Sequence, residues 1–203
     1  NGRILQFDTL DKVFAVLNVT GVLAGKLPDV RQAGMGYSSA QAHGTIQGTK
    51  IVADEFADPD LVAADLLAAA EHDELATSVL ITTSASLAKS VNGRVETRLG
   101  ALARADVARA STSVRGGIAV VGSLEESMSL ANEFAPEHMC LHLRNSDQAL
   151  AMVENAGAVF VGEASVESIG DYTAGPSHVM PTGGNALYAS PIGVHDFLKV
   201  TSV

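Results

Sequence analysis

Residues 59–83 read PDLVAADLLAAAEHDELATSVLITT, and this stretch decides the fold. Its first part places apolar residues near one face of a helix, while Asp58 is a favourable N-cap and Pro59 suits the first helical position. Its last part, SVLITT at 78–83, is a run typical of a buried strand. The stretch therefore predicts a helix over 59–72 followed by a buried strand.

The same alternation continues downstream. Strands are predicted over 117–122, 139–143 and 158–162, and helices over 84–103, from 123 onward with capping-box spacing, and over 147–155. Strands that alternate with helices imply parallel strands joined by right-handed crossovers. The predicted fold is α/β, an open and mostly parallel Rossmann-like sheet flanked by helices. Ligands of such sheets bind beyond the carboxyl ends of the strands.

The first fifty residues follow a different pattern, Gly-rich and weakly periodic. A short helix is predicted over 7–18 and a short strand over 19–23, whereas 31–49 has the composition of a loop. We therefore divide the chain into an unassigned segment, 1–50, and an α/β domain, 51–203.

Composition excludes several classes of function. The 203 residues carry a net charge of -10, which argues against binding to a nucleic-acid backbone. The single cysteine, Cys140, excludes an intrachain disulfide and fits a reducing, cytoplasmic setting. No apolar run is long enough to span a bilayer and no signal peptide is visible, so no membrane partner is predicted.

The segment EFAPEHM at 133–139 places Glu137 and His138 side by side where a helix gives way to a strand. A carboxylate and an imidazole aimed at one substrate suit general acid–base catalysis. The alternative is a solvated junction in which the dipole of the preceding helix favours the histidine.

Two further segments carry candidate ligands. In the helix that ends AAAEHD at 68–73, Asp65 lies two turns before His72, a possible metal half-site or merely a polar helix end. The loop GDYTAGPSHVMPTGG at 170–184 offers Asp171 and His178 as metal or substrate contacts. No GxGxxG or Walker A motif occurs, so no NAD-binding residue is assigned.

The remaining histidines carry little expectation of function. His142 alternates with leucines in a predicted strand and is expected to face away from the core, His195 lies in a short amphipathic segment, and His43 lies in the unpatterned region.

Four of these segments resemble consecutive motifs of the histidinol dehydrogenase family, in the family's order, from about Ile51 to the end. They are VADEFADPDLVAADLLAAAEHD at 52–73, NEFAPEHM at 132–139, AGAVFVGEASVESIGDYTAGPSHVMPTGG at 156–184 and GVHDFLKV at 193–200. The resemblance implies a homodimeric oxidoreductase of histidine biosynthesis. Such an enzyme oxidises L-histidinol to L-histidine in two steps with two NAD, and a zinc ion positions the substrate. Residues 51–203 would then be an incomplete catalytic domain of this family.

The resemblance also implies roles for individual residues. His138 would take the alcohol proton as hydride leaves, and Glu137 would activate water for attack on the aldehyde-level intermediate. Glu137, His138, Asp171 and His178 would contact substrate, and His72 and Asp171 match zinc ligands.

Departures from the family pattern keep two alternatives open. Ala69 stands where the family has a zinc-binding Gln, which favours a related dehydrogenase of another small polar alcohol. The family's nucleotide-binding half and a zinc-binding histidine of the partner subunit are not matched. The unmatched nucleotide-binding half favours a non-catalytic α/β binding or oligomerisation domain. We expect the isolated chain to hold zinc weakly and to be inactive.

Overall fold

The computed structural model describes residues 4–6 and 48–202, and a single parallel sheet forms their centre. Its strands are β1 (Ile4–Gln6), β2 (Gly48–Ala53), β3 (Thr77–Thr82), β4 (Gly117–Val120), β5 (His138–His142) and β6 (Ala158–Val161). The helices are α1 (Pro59–His72), α2 (Ala85–Leu99), α3 (Ala105–Val114), α4 (Leu124–Phe134) and α5 (Ser146–Leu150). Single 3₁₀ turns follow at Glu167–Asp171, Asn185–Leu187 and Val194–Phe197.

The strand order is β1-β4-β3-β2-β5-β6, and every pair of neighbours is parallel. From β2 the chain proceeds outward through β3 to β4, then returns to place β5 on the other side of β2. The switch point of this doubly wound sheet therefore lies between β2 and β5. The predicted α/β class, open parallel sheet and flanking helices are confirmed.

Helix α1 has the predicted bounds, and the side chain of Asp58 accepts a hydrogen bond from the backbone N–H of Asp60 as its N-cap. Other boundaries differ. The loop predicted over 31–49 is wrong at its end, because β2 begins at Gly48, where it pairs with β3. Helix α3 was not predicted, α2 ends at Leu99, and α5 stops at Leu150. The helix predicted over 7–18 and the strand over 19–23 lie outside the described residues.

Apolar side chains cover both faces of the sheet, as alternation along the strands requires. One face packs against α4, and the other packs against α1 and α2. On β5, Met139 and Leu141 point toward α4, while Cys140 points toward α1. His138 and His142 share the side of Cys140, because they lie two residues from it in either direction. Within residues 48–202, no helix is long and apolar enough to cross a membrane.

Candidate active site

The candidate acid–base pair lies at the amino edge of the sheet. His138 is the first residue of β5, and it is in register with Thr49, the second residue of β2. The pair therefore lies at the edge opposite the carboxyl ends of the strands, where ligands of such sheets were expected. The motif precedes its strand because α4 ends at Phe134. Ala135 then adopts the left-handed conformation (φ 44°, ψ 61°) and turns the chain into β5.

The backbone before His138 is held by the start of β6. The N–H of Ala158 donates to the carbonyl of Glu137 at 2.8 Å, and that of Gly157 donates to the carbonyl of Pro136 at 2.9 Å. A Cβ at residue 157 would lie 2.6 Å from the Glu137 carbonyl oxygen, so this approach requires glycine. The backbone of Glu137 is thus held in place by a neighbouring strand.

Both members of the pair are buried. Glu137 is 6% exposed and His138 is 5% exposed. The alternative of a solvated helix–strand junction is therefore wrong. Two adjacent ionisable groups removed from water are costly unless they have partners, and such groups concentrate at functional sites.

His138 has a carboxylate and an aromatic ring as its immediate neighbours. Its Nδ1 lies 3.2 Å from Oε1 of Glu167, within ion-pair distance but without the alignment of a linear hydrogen bond. Oε2 of Glu167 accepts a hydrogen bond from the Thr49 hydroxyl at 2.7 Å. The Phe160 ring meets the imidazole edge-on, with the ring centroids 5.7 Å apart.

These surroundings change the basicity of the imidazole. Burial by itself lowers the pKa of His138, but the contact and charge of Glu167, with the charges of Glu137 and Asp171, outweigh it and raise the pKa above the ordinary value. Three carboxylates therefore stabilise the protonated ring, which makes His138 a stronger base than an isolated histidine. The same interaction places Asp171 within electrostatic reach of His138.

The other predicted ligands are less confined. His178 is exposed in the 170–184 loop, and Asp171 is exposed at the end of the first 3₁₀ turn. His72 is exposed at the last position of α1, where its backbone carbonyl accepts a hydrogen bond from the Arg104 guanidinium at 3.3 Å. Ala69, one turn earlier, is buried and has no donor atom to offer a metal.

The zinc ligands implied by the resemblance can be tested against this arrangement. Across residues 48–202, His, Cys, Asp and Glu side chains form no group of three or more that could hold a metal ion. Zinc sites in proteins usually have three or four protein ligands. His72 and Asp171 therefore do not fit a zinc ion by themselves.

One expectation for the other histidines is wrong. His142 does not face away from the core: it is 1% exposed, and its Nε2 lies 3.1 Å from Oδ2 of Asp65 on α1. Asp65 is consequently paired with His142 on β5, whereas His72 lies exposed at the end of α1, as the alternative of a polar helix end predicts. His195 is exposed in the last 3₁₀ turn, and His43 lies outside the described residues.

The contacts that complete the site were not singled out in the sequence. Glu167 lies inside the quoted segment VESIGDY, but nothing in its spacing relates it to a residue 29 positions earlier. Thr49 fell in a presumed loop, and Gly157 was one glycine of 19. Only the parallel pairing of β2, β5 and β6 brings them to His138.

Comparison with known proteins agrees with these elements and their order. The sequence model of the histidinol dehydrogenase family matches residues 47–203. The chain belongs to the histidinol dehydrogenase family. This confirms the resemblance, and the match begins slightly before Ile51, where it was predicted to begin.

Individual relatives from the family share about half of the aligned residues. Histidinol dehydrogenase from Bacillus cereus is 49% identical over 152 residues, and that from Dehalococcoides mccartyi is 46% identical over 153. Each alignment covers 75% of this chain and 35% of the relative. A crystal structure of histidinol dehydrogenase from Elizabethkingia anophelis superposes with a TM-score of 0.73 at 34% identity, again over 75% of this chain and 35% of that one. The chain thus spans about a third of the length of these relatives.

Proposed function

We propose that residues 51–203 supply the acid–base residues of a histidinol dehydrogenase, an NAD-dependent oxidoreductase that converts L-histidinol to L-histidine. The observation that carries this proposal is the buried Glu137–His138 pair, with Glu167 and Asp171 acting on the imidazole. Membership of the family supports the choice of substrate. A cytoplasmic location stays a prediction from the single cysteine.

In the first oxidation, His138 takes the proton of the substrate's hydroxyl group as the carbon-bound hydride leaves, and the aldehyde is formed. NAD supplies the hydride acceptor in each oxidation. The raised pKa of His138 suits this step, because a stronger base draws the proton away more completely in the transition state. Glu137 and Asp171 stabilise the imidazolium that results.

In the second oxidation, Glu137 takes a proton from water as the water oxygen bonds to the aldehyde carbon, and the His138 imidazolium returns its proton to the aldehyde oxygen. The resulting hydrate loses a second hydride and a proton, which His138 again accepts, to give the carboxylic acid. Burial keeps bulk water from competing at the same carbon. Asp171 and His178 are proposed to contact the substrate. A homodimer partner and a zinc ion, the latter with ligands beyond His72 and Asp171, remain predictions from the family resemblance.

A second candidate is a related dehydrogenase acting on another small polar alcohol. The buried Ala69 at the family's Gln position favours it, because a changed ligand set can accompany a changed substrate. The two candidates share the same acid–base pair and differ only in which alcohol is oxidised.

A chimera tests both candidates. Residues 47–203 would replace the matched segment of the Bacillus cereus enzyme, with the unaltered parent enzyme as control. We expect NAD reduction that depends on L-histidinol and release of L-histidine. Glu137→Gln in the chimera should slow conversion of the aldehyde more than the first oxidation, because only the second oxidation needs activated water. A folded chimera inactive with L-histidinol would contradict the first candidate, and reduction of NAD with other amino alcohols would favour the second.

A further inference from the structure

We propose that Glu167 is a positioning residue that holds the neutral His138 imidazole with its proton on Nδ1, which leaves Nε2 to accept the substrate's proton. The inference rests on the proposed function of His138 as the base and adds to it the residue that selects the reactive nitrogen. Glu167 is not one of the residues to which the family resemblance assigned a role.

The first support is the way in which Glu167 joins two strands. Thr49 and His138 are direct neighbours across β2 and β5, and the Glu167 carboxylate spans them, with one oxygen toward each. The Thr49 hydroxyl donates to Oε2 at 2.7 Å, which fixes the rotation of the carboxylate. Oε1 is thereby directed at Nδ1 of His138, 3.2 Å away.

The second support is that the turn carrying Glu167 is packed against Phe160, which contacts the same imidazole. A Cβ added to Gly170 would lie 3.1 Å from Cζ of Phe160, so the turn lies close against that ring. Phe160 in turn meets His138 edge-on. Two independent contacts, one polar and one aromatic, therefore connect the 3₁₀ turn with the orientation of the imidazole.

The choice of nitrogen follows from the chemistry of the partners. A neutral imidazole has one N–H donor and one acceptor nitrogen, and an ionised carboxylate accepts but cannot donate. Beside Glu167, Nδ1 is therefore the donor and Nε2 the acceptor. The contact is not yet linear, and catalytic hydrogen bonds of this kind commonly tighten when substrate binds.

Glu163 provides a matched control within the same segment. It precedes Glu167 by four residues, and its side chain accepts a hydrogen bond from the backbone N–H of Asp58, the N-cap of α1. A Glu163→Ala variant loses a carboxylate of the same segment without touching His138. Thr49→Ser and Thr49→Val form a second matched pair, because only the serine keeps the hydroxyl that orients Glu167.

The decisive measurement is the nitrogen NMR spectrum of His138 in the 203-residue chain, taken where the imidazole is neutral. In the parent chain we expect the proton mainly on Nδ1. Glu167→Ala should shift the proton toward Nε2. Glu167→Gln should shift it less than Glu167→Ala does, because the amide oxygen can still accept a hydrogen bond. Thr49→Val should shift the proton in the same direction. Thr49→Ser and Glu163→Ala should give the same spectrum as the parent chain.

Turnover in the chimera gives a second readout. Loss of a residue that orients a catalytic ligand or base typically costs about 10–100-fold in activity. We expect Glu167→Ala to lower kcat by about this factor with little change in KM, because the substrate is still bound but the base presents the wrong nitrogen. Glu163→Ala should retain the kcat of the chimera.

The two proposals fail in different ways. An unchanged His138 tautomer in folded Glu167→Ala would overturn the positioning role, even if the chimera were fully active. A shifted tautomer in a chimera with no dehydrogenase activity would support the contact while overturning the proposed function. A rise in KM with unchanged kcat would assign Glu167 to substrate binding and also overturn the positioning role.

Discussion

Strand β5 carries a buried histidine at each end, and each histidine has a carboxylate within ion-pair distance. At the amino end, Nδ1 of His138 lies 3.2 Å from Glu167. At the carboxyl end, Nε2 of His142 lies 3.1 Å from Asp65. The two pairs share a face of the sheet and nearly the same separation, yet their surroundings differ. Charged groups surround the first imidazole, and a packed helix covers the second.

At the carboxyl end, the segments that follow β2 and β5 contact each other. The backbone N–H of Asp54 donates to the His142 carbonyl at 3.3 Å, and the Asp54 side chain accepts from the N–H of Arg144 at 2.8 Å. The Arg144 guanidinium also lies over the Phe56 ring, 4.0 Å from its centroid. These contacts lie at the switch point between β2 and β5, where open α/β sheets usually bind ligands.

The amino end instead gathers groups that can exchange protons. Glu137 precedes His138, and the turn after β6 adds Glu167 and Asp171, whose charges act on the same imidazole. The comparison teaches that a buried histidine–carboxylate pair does not by itself mark a catalytic site. What distinguishes the candidate base is the convergence of several ionisable groups on one ring, and the comparison can be tested by changing one end at a time.

The largest expected effect comes from replacing each histidine by asparagine. In the chimera, His138→Asn should lower turnover by about 10²–10⁴-fold, the usual contribution of a positioned acid–base group, while substrate binding changes little. His142→Asn should keep the turnover of whatever protein remains folded and should lower the melting temperature instead. Steady-state kinetics with thermal unfolding separates the two effects. Equal losses of turnover at both ends would remove the functional distinction between the two edges.

The fold was largely predictable from the sequence because its signals are local. The N-cap at Asp58, the apolar stripe of α1 and the apolar strand runs each depend on a few adjacent residues, and they gave the α/β class. The site was only half predictable. Glu137 and His138 are adjacent in sequence, whereas the contact of His138 with Glu167 depends on strand order and register. The burial of His142 could not be inferred, since it depends on which element packs above β5.

The second prediction concerns stability at the carboxyl end. Removing one partner of a buried polar contact typically costs about 1–3 kcal/mol, because the other partner is left buried and unsatisfied. We therefore expect Asp65→Ala to lower the free energy of unfolding by about this amount. Asp60→Ala on the same helix breaks only the exposed contacts to Arg94 and Arg98, which should cost about 0.2–1 kcal/mol.

A double variant sharpens this test. Replacing both Asp65 and His142 by leucine should recover most of the loss, because apolar replacement of a buried pair is often close to neutral. Denaturant unfolding of the 203-residue chain measures all of these differences. If Asp65→Ala were no more harmful than Asp60→Ala, the pair would not hold α1 on β5, and the structural interpretation of this end would be wrong.

The smallest expected effects concern the glycines that flank β6, one at each edge of the sheet. A Cβ at Gly157 would lie 2.6 Å from the Glu137 carbonyl oxygen, so Gly157→Ala must displace the backbone beside the candidate base. Such overpacking costs about 1–3 kcal/mol, and here it should also lower kcat of the chimera.

Gly162 has open space around it but a φ of +85°, so Gly162→Ala should cost about 1–2 kcal/mol through backbone strain alone. Its kcat should match that of the chimera, because the strain arises at the edge opposite the candidate acid–base pair. The measurement is kcat of both variants, compared at equal fractions of folded protein. If kcat fell as much in Gly162→Ala as in Gly157→Ala, turnover would depend on general stability and not on the placement of Glu137.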